Sequence, residues 1–166
     1  MHSHIGQIGL KTEASNWVEK AIEFVTRSTV HHVVIAISDT ECIGAEPGGA
    51  RIRSHEYTQM VWSHFDLTPE QAQACADWAR AREGIPYSFL NGMFIGLTMC
   101  GFTWPKSILK RFSTDKSYQC AQFADAALSL GAGIVVFDDG RAFGEVYPGS
   151  LEKLFKERDW WIEGVE

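Results

Sequence analysis

The stretch Val30–Ile37, with the sequence VHHVVIAI, constrains the fold of this chain more than any other. Apart from two histidines its side chains are apolar, and most of them are β-branched. Such a run, followed by the turn residues Ser38-Asp39, is typical of a strand buried in the middle of a sheet. We therefore predict a central strand here, and the two histidines at its entrance require an explanation.

Elsewhere the sequence pattern predicts helices mixed with short strands. The predicted strands are Ile5–Leu10, Cys42–Ala45, Arg51–Arg53 and Gly133–Phe137, the last in a hairpin with Ala142–Val146. The predicted helices are Ser15–Arg27, Thr68–Glu83, Tyr118–Leu130 after a Ser117 cap, and Leu151–Lys156. The region Ser88–Asp115 is rich in aromatic residues and predicts irregular structure with some helix. This mixture indicates an α+β fold with an antiparallel sheet.

Length and composition exclude several classes of protein. A chain of 166 residues suits one domain, residues 1–166, with a single core. The formal net charge of −6 argues against binding to a nucleic-acid backbone. No run of about 18 apolar residues is present, so we expect no membrane-spanning helix. The first residues lack the pattern of a signal peptide, and we expect synthesis in the cytoplasm, with any export by another route.

The sequence gives no sign of a metal or cofactor. The four cysteines, Cys42, Cys75, Cys100 and Cys120, are scattered, and no pair has the CxxC spacing of zinc and redox motifs. His2 and His4 form an HxH pair near a terminus, where histidines are usually solvated. No glycine-rich nucleotide-binding motif occurs. We therefore expect no cofactor and no metal site, and a small-molecule or peptide substrate.

Cys120 is the best candidate for a nucleophile. It follows the predicted cap Ser117 by three residues, which places it in the first turn of a helix. Unpaired N–H groups and the helix dipole there favour a thiolate and lower the thiol pKa, and the same N–H groups could bind an oxyanion. The alternative is a small structural cysteine buried on an alanine-rich helix.

A nucleophilic cysteine needs a base, and strand parity distinguishes the two histidines. His31 shares a face with bulky β-branched residues, whereas His32 shares a face with Val34 and Ala36. We expect the bulky face to pack into the core and the smaller face to leave room for a helix and a cleft, which favours His32 as the base.

A base in turn needs an orienting carboxylate. Glu46, at the end of the next strand, could pair with the imidazole of His32. Glu41, Asp39 and Asp138 are alternatives, and each of these carboxylates could equally be a solvated turn residue.

Several stretches, in this order, resemble a known superfamily. They carry the histidine strand, the strand after it, a Gly-x-x-Tyr element, the cysteine helix start and a late proline segment: Ala21–Ile35, Cys42–Ala50, Gly84–Ser88, Ser117–Ala124 and Tyr147–Leu151. The chain thereby resembles the circularly permuted branch of the NlpC-type papain-fold superfamily, which includes lecithin retinol acyltransferase-like proteins. In that branch the histidine strand precedes the cysteine helix.

The resemblance implies a permuted papain-like fold and a Cys–His site, with Cys120 as nucleophile and His32 as base. The family's glutamate in the second strand falls on Gly44, and Glu46 is displaced from it by two residues. Because two residues along a strand keep the same face, Glu46 could substitute as the third catalytic residue. Ala121 stands where a small hydroxyl residue is common, and Ser88 stands where the family has Asp.

The first functional hypothesis is a cysteine peptidase or amidase that works through a thioacyl-enzyme, with a cell-wall peptidoglycan peptide or another small amide as substrate. The second is a non-catalytic binding module on the same fold. The third is an acyltransferase or lipid thioesterase, whose acyl channel the aromatic stretch Phe89–Trp104 could form.

Overall fold

The computed structural model describes residues 4–12, 29–30, 32–54, 60–86, 118–141 and 145–161. Five strands in these ranges form one antiparallel sheet: β1 Ile8–Lys11, β2 His32–Ala36, β3 Glu41–Glu46, β4 Gly49–Ser54 and β5 Met60–Trp62. The spatial order is β4-β3-β2-β1-β5, so β2 is the central strand, as its apolar sequence predicts. The sheet with the helices described below makes the fold α+β.

Strand register sets which side chains share a face of the sheet. Ile8 lies opposite Ile35, Gly9 opposite both Val34 and Trp62, and Ile43 opposite both Ile35 and Ile52. Because side chains alternate along a strand, these pairs separate a face of large aliphatic residues from a face that carries two glycines.

Three α-helices are described: α1 Pro69–Arg80, α2 Cys120–Ala126 and α3 Pro148–Glu157. The predicted start of α1 at Thr68 is confirmed, and a capping box forms there: Thr68 Oγ1 accepts from the Gln71 N–H and Gln71 Oε1 accepts from the Thr68 N–H. α2 continues as a π-helical segment, Ala127–Gly131. None of the described helices is both long and apolar enough to cross a bilayer.

The main core lies between one face of the sheet and the helices. It contains the large aliphatic residues of the strands and the alanine-rich side of α2; among them Val33, Ile35, Ala121 and Ala124 are fully buried. A smaller cluster occupies the other face and consists of Val34, Ala36, Cys42 and Trp62, with Met60 packed against it.

Close packing of the helices requires a glycine at the end of the π-helical segment. A Cβ on Gly131 would lie 2.8 Å from Trp78 Cβ and 3.1 Å from the Ala74 carbonyl oxygen of α1. The Trp78 ring contacts the Tyr118 ring edge-on, at a centroid distance of 6.0 Å. It also contacts the Phe123 ring at a tilt, at a centroid distance of 5.7 Å. These contacts fix α2 against α1.

The predicted strand Gly133–Phe137 is wrong, because the backbone there serves the end of the preceding helix. The N–H groups of Ala132 and Ile134 both donate to the Leu128 carbonyl, each at 3.0 Å, which resembles the usual closure of a helix C-terminus. Val136 is buried while Val135 is 70% exposed, so this segment contributes single residues to the core rather than a strand face.

Other boundaries differ in smaller ways. The short strand β5 was not predicted, since its three residues give no usable period. The helix α1 ends at Arg80 rather than at Glu83, and the turn after it closes at Gly84, whose φ of +82° favours glycine. The predicted helix Ser15–Arg27 and the aromatic region Ser88–Asp115 lie outside the described residues.

Candidate functional site

Cys120 is the first residue of α2, and it is only 6% exposed. The residue that caps this helix is Gln119, in extended conformation, while the predicted cap Ser117 lies outside the described residues. Gln119 and Gln122 form a reciprocal capping box, in which the Gln119 N–H donates to Gln122 Oε1 at 3.3 Å. Cys120 therefore begins its helix directly, closer to the terminal N–H groups than the sequence predicts.

The thiol of Cys120 is surrounded by backbone donors but shielded from water. Burial raises its pKa to about 11, and hydrogen bonds from the backbone of Val33, Ala121 and Cys120 itself act in the opposite direction. The backbone at the helix start therefore acts in the predicted direction, but burial outweighs it and the pKa is raised overall. Loss of solvent outweighs the N–H groups, because a buried thiolate has no water to stabilise its charge.

His32 begins the central strand, with its ring above a glycine of the neighbouring strand. A Cβ on Gly44 would lie 2.9 Å from His32 Nε2 and 3.1 Å from Val34 Cγ1. The His32 imidazole and the Val34 side chain therefore lie on the same face of the sheet. It is the face on which a side chain at position 44 would lie. His31 lies outside the described residues.

Glu46 lies at the end of β3, on the face that carries His32. Burial alone would raise the pKa of Glu46, but hydrogen bonds and positive charge from Arg53, with the charges of His32 and Arg51, hold it below its ordinary value. Arg53 donates to both carboxylate oxygens, at 3.3 Å to Oε1 and 2.8 Å to Oε2. Glu46 is therefore an ionised carboxylate that accepts hydrogen bonds from Arg53 and is also stabilised by the charges of His32 and Arg51.

The other candidate carboxylates lie elsewhere. Glu41 begins β3, at the end opposite Glu46, and approaches Arg80 at 3.9 Å. Asp39 and Asp138 are exposed residues outside the strands. Glu46, in contrast, interacts electrostatically with His32.

The structure brings His32 and Glu46 together and places Cys120 against the backbone next to them. α2 packs on the Val33 and Ile35 face, whereas the His32 ring lies on the opposite face with Gly44. The backbone of Val33, the residue after His32, links them, because it acts on the Cys120 thiol and favours its thiolate form. The two side chains thus approach β2 from different faces at its entrance.

Contrary to the expectation, the cysteine helix does not cover the small-residue face but packs on the face of bulky side chains, and no helix in the described ranges takes its place. The fully buried Ala121 and Ala124 let α2 approach the bulky side chains of β2. The small-residue face is filled instead from β5, where the Trp62 ring lies across Gly9; a Cβ there would come within 2.8 Å of it. Parity sorted the side chains correctly but did not show which set the helix would cover.

The remaining described cysteines differ from Cys120. Burial raises the pKa of Cys42 and of Cys75 to about 12, and the Glu46 carboxylate adds to the effect at Cys42. Cys42 lies in β3 and Cys75 in the middle of α1, so neither begins a helix. Cys100 lies outside the described residues.

Gln119 is a residue of this region that sequence reasoning missed. Its side chain is 5% exposed, and its Nε2 has no hydrogen-bond partner among the described residues. A glutamine before a cysteine gives no signal in a sequence, because only tertiary packing makes it a buried donor.

Two further findings complete the description of the site. Within the described ranges, no three His, Cys, Asp or Glu side chains are grouped in a way that could hold a metal ion. In comparisons with known proteins, no family model matches this chain, and neither a curated protein nor a solved structure matches it.

Proposed function

We propose that this chain is a cysteine hydrolase of the amidase or peptidase type, with Cys120 as nucleophile, His32 as base and Glu46 as the residue that orients His32. One observation carries the proposal: a helix-starting cysteine lies at the backbone of Val33, which favours its thiolate form, and Val33 directly follows a histidine whose charge acts on a carboxylate. A candidate nucleophile, base and orienting group therefore all lie at the entrance of β2, with the thiol on one face of the strand and the imidazole on the other.

The raised pKa determines the kind of catalysis proposed. With a pKa of about 11, Cys120 is a neutral thiol at neutral pH, so the base has to remove its proton as the sulfur attacks. His32 is adjacent in sequence to the backbone that touches the sulfur, but its ring lies over Gly44. Proton transfer therefore requires the ring to turn from Gly44 towards the thiol, while Glu46 stabilises the imidazolium that forms.

The proposed reaction has two stages. The Cys120 sulfur forms a bond to the amide carbonyl carbon, the C–N bond breaks, and the leaving amine takes the proton that His32 accepted. Water then attacks the thioester, which releases the acid and restores the thiol. The resemblance favours a peptidoglycan peptide or another small amide as substrate.

Alkylation with iodoacetamide across pH 5 to 10, with mass mapping of each site, tests the proposal. Cys42 and Cys75 serve as internal standards, since both are buried thiols with a pKa of about 12. We expect Cys120 to react more than about 100-fold faster near neutral pH, with an inflection well below the thiol pKa of about 11. His32→Gln should remove that inflection, and Cys75→Ser should leave it unchanged.

A binding module without catalytic activity is the second candidate, and the burial of Cys120 favours it. In that case the alkylation rate of Cys120 should rise about tenfold for each pH unit towards pH 11, without an inflection and regardless of His32. A pKa difference of about one unit would then leave Cys120 only about tenfold faster than the standards. That result would overturn the hydrolase proposal.

A further inference from the structure

Glu152 of α3 is a buried carboxylate that ties this helix to the segment before the central strand. Thr29 donates to it twice, from its N–H to Oε2 at 3.1 Å and from its hydroxyl to Oε1 at 3.2 Å. Lys156 Nζ, one turn further along α3, donates to the same Oε1 at 2.7 Å. The contact between Thr29 and Glu152 therefore joins the last described helix to the chain that leads into β2.

Glu152 differs in burial from the other ion-paired carboxylates in the described ranges. Its side chain is 10% exposed, whereas that of Glu46, the next most buried, is 23% exposed. Taking a carboxylate out of water is unfavourable unless hydrogen bonds and an opposite charge compensate. The three donated hydrogen bonds compensate Glu152 in this way, and they hold Thr29 in a defined position.

Both partners of this contact are attached to the main core. Leu151 and Phe155, on the same helix as Glu152, are fully buried, and so is Val30, the residue after Thr29. Close-packed side chains of this kind leave a helix little freedom to shift. α3 is therefore a rigid support for the hydrogen bonds to Thr29.

The pairing of β2 in the sheet shows why its first half benefits from such a support. The ladder between β2 and β1 runs from Ile35 to His32, whereas the ladder between β2 and β3 covers Ile35 and Ala36. Each ladder pair fixes a strand along its neighbour. The second half of β2 is therefore fixed on both sides, and its first half, which carries His32, is fixed mainly by β1 and by the segment before it.

We infer that Glu152 is a positioning residue of the proposed site: through Thr29 it fixes the first half of β2, and with it the His32 imidazole that has to reach the Cys120 thiol. This inference rests on the proposed function. Proton transfer requires hydrogen-bond reach between the two groups, and a misplacement of about 1 Å can lower a rate about 100-fold. Thr29 precedes His32 by about 10 Å of extended chain, so a shift of its backbone is passed along the strand to the ring.

Alkylation of Cys120 by iodoacetamide at two pH values tests this role. Near pH 7 the proposed reaction needs His32, whereas at pH 10 the thiolate that forms without a base is about 1000-fold more abundant than at pH 7. We expect Glu152→Gln, which keeps the shape of the side chain and removes its charge, to lower the rate about tenfold at pH 7. At pH 10 its rate should stay within about twofold of wild type, because the base is no longer needed.

Substitutions of Thr29 separate position from charge. Thr29→Val keeps the volume, removes the hydroxyl donor and should lower the rate at pH 7 about threefold, while Thr29→Ser, which keeps the hydroxyl, should react like wild type. Neither variant changes the charge of Glu152 or of the groups around His32, which are Glu46, Arg51, Arg53 and, opposite in β1, Lys11. Because Thr29 is exposed, these variants should fold even if Glu152→Gln does not.

Glu157→Gln is the matched control, since it makes the same change at an exposed carboxylate of the same helix, 3.6 Å from Lys153. Its alkylation rates should equal those of wild type at both pH values. A contact that only stabilises the fold gives a different pattern in Glu152→Gln. Loosened packing should raise the alkylation of Cys42 and Cys75 and change the Cys120 rate at pH 10 as well as at pH 7.

That pattern would overturn the inference. So would wild-type rates in both Glu152→Gln and Thr29→Val, or a loss in Glu152→Gln that Thr29→Val does not share, which would indicate an effect of charge alone. In each of these cases the proposed function stands as long as wild type shows the inflection below the thiol pKa. If wild type shows no such inflection, the proposed function fails and the inference fails with it.

Discussion

The two faces of the sheet differ in what they bury. The face under the helices carries large aliphatic residues that are completely excluded from water, among them Ile8, Val33 and Ile35. The opposite face carries two glycines, Gly9 and Gly44, each covered by a ring from a neighbouring strand. Polar groups are confined to the open end of this second face, where His32 and Glu46 meet the arginines of β4.

The face under the helices contributes mainly to stability, whereas the opposite face carries ionised side chains of the proposed site. The face under the helices is close-packed and apolar, so it holds β2 rigidly and also buries the thiol of Cys120. The open face leaves side chains hydrated enough to ionise, as the pair of Glu46 and Arg53 shows. The proposed nucleophile therefore lies on the face under the helices, and the proposed base lies on the opposite face. Both are at the entrance of β2.

The largest expected effect comes from neighbouring valines on opposite faces. Val33→Ala removes two methyl groups between the sheet and α2, and we expect it to lower the free energy of unfolding by about 3 kcal/mol. Val34→Ala makes the same change in the smaller cluster and should cost only about 1.5 kcal/mol. Urea unfolding measures both, and equal losses would contradict the difference between the faces.

The parts of the fold that were predictable have local signals. Thr68-Pro69 with Gln71 specifies the start of α1, and the apolar run from Val30 specifies the central strand. Gly133–Phe137 was not predictable, because its Ile134 N–H closes the helix before it. A local pattern does not reveal that kind of competition for hydrogen bonds.

The same distinction applies to the candidate site. Strand parity placed His32 and Glu46 among the possible partners but left Glu41, Asp39 and Asp138 open as well; the charge interaction of His32 with Glu46 depends on the strand register, which the sequence does not show. The high pKa of the Cys120 thiol and the orphaned amide of Gln119 depend on burial by distant segments. Tertiary packing decides such burial, and no single stretch of sequence contains it.

A buried carboxylate gives a second test, because the two faces should titrate in opposite directions. Burial raises the pKa of Asp125, on α2, to about 6, with the charge of Arg141 opposing. The folded state favours the protonated form of Asp125. The stabilisation that this protonated form gives to the fold is complete below about pH 4 and is lost as pH rises through 6. The free energy of unfolding of Asp125→Asn should therefore exceed that of wild type by about 2 kcal/mol at pH 7.5 and should equal it at pH 4.

Glu46→Gln is the matched change on the open face. Because the pKa of Glu46 is lowered in the folded protein, the ionised carboxylate stabilises the fold at neutral pH. This stabilisation is lost as pH falls through the pKa that Glu46 has in the folded state. This variant should therefore be slightly less stable than wild type at pH 7.5 and should converge with it in acid. Thermal unfolding at several pH values measures both variants. Parallel pH curves for Asp125→Asn and wild type would contradict the assignment.

A further test concerns the glycine under the His32 ring. A methyl group at position 44 would lie 2.9 Å from His32 Nε2 and 3.0 Å from the Val33 carbonyl oxygen. The ring can move aside, but the strand backbone cannot move without strain, so Gly44→Ala should cost about 1–2 kcal/mol in urea unfolding. The displaced ring should also change the pH dependence of Cys120 alkylation.

A double-mutant cycle separates the ring from the backbone. In a His32→Ala background the clash with Nε2 is gone, so the added methyl group meets mainly the backbone and Val34, and Gly44→Ala should cost less there. The difference between the two costs is the part that His32 contributes by lying over Gly44. Equal costs in both backgrounds would mean that the backbone alone requires glycine, and that the position of the ring is incidental to the packing of this face.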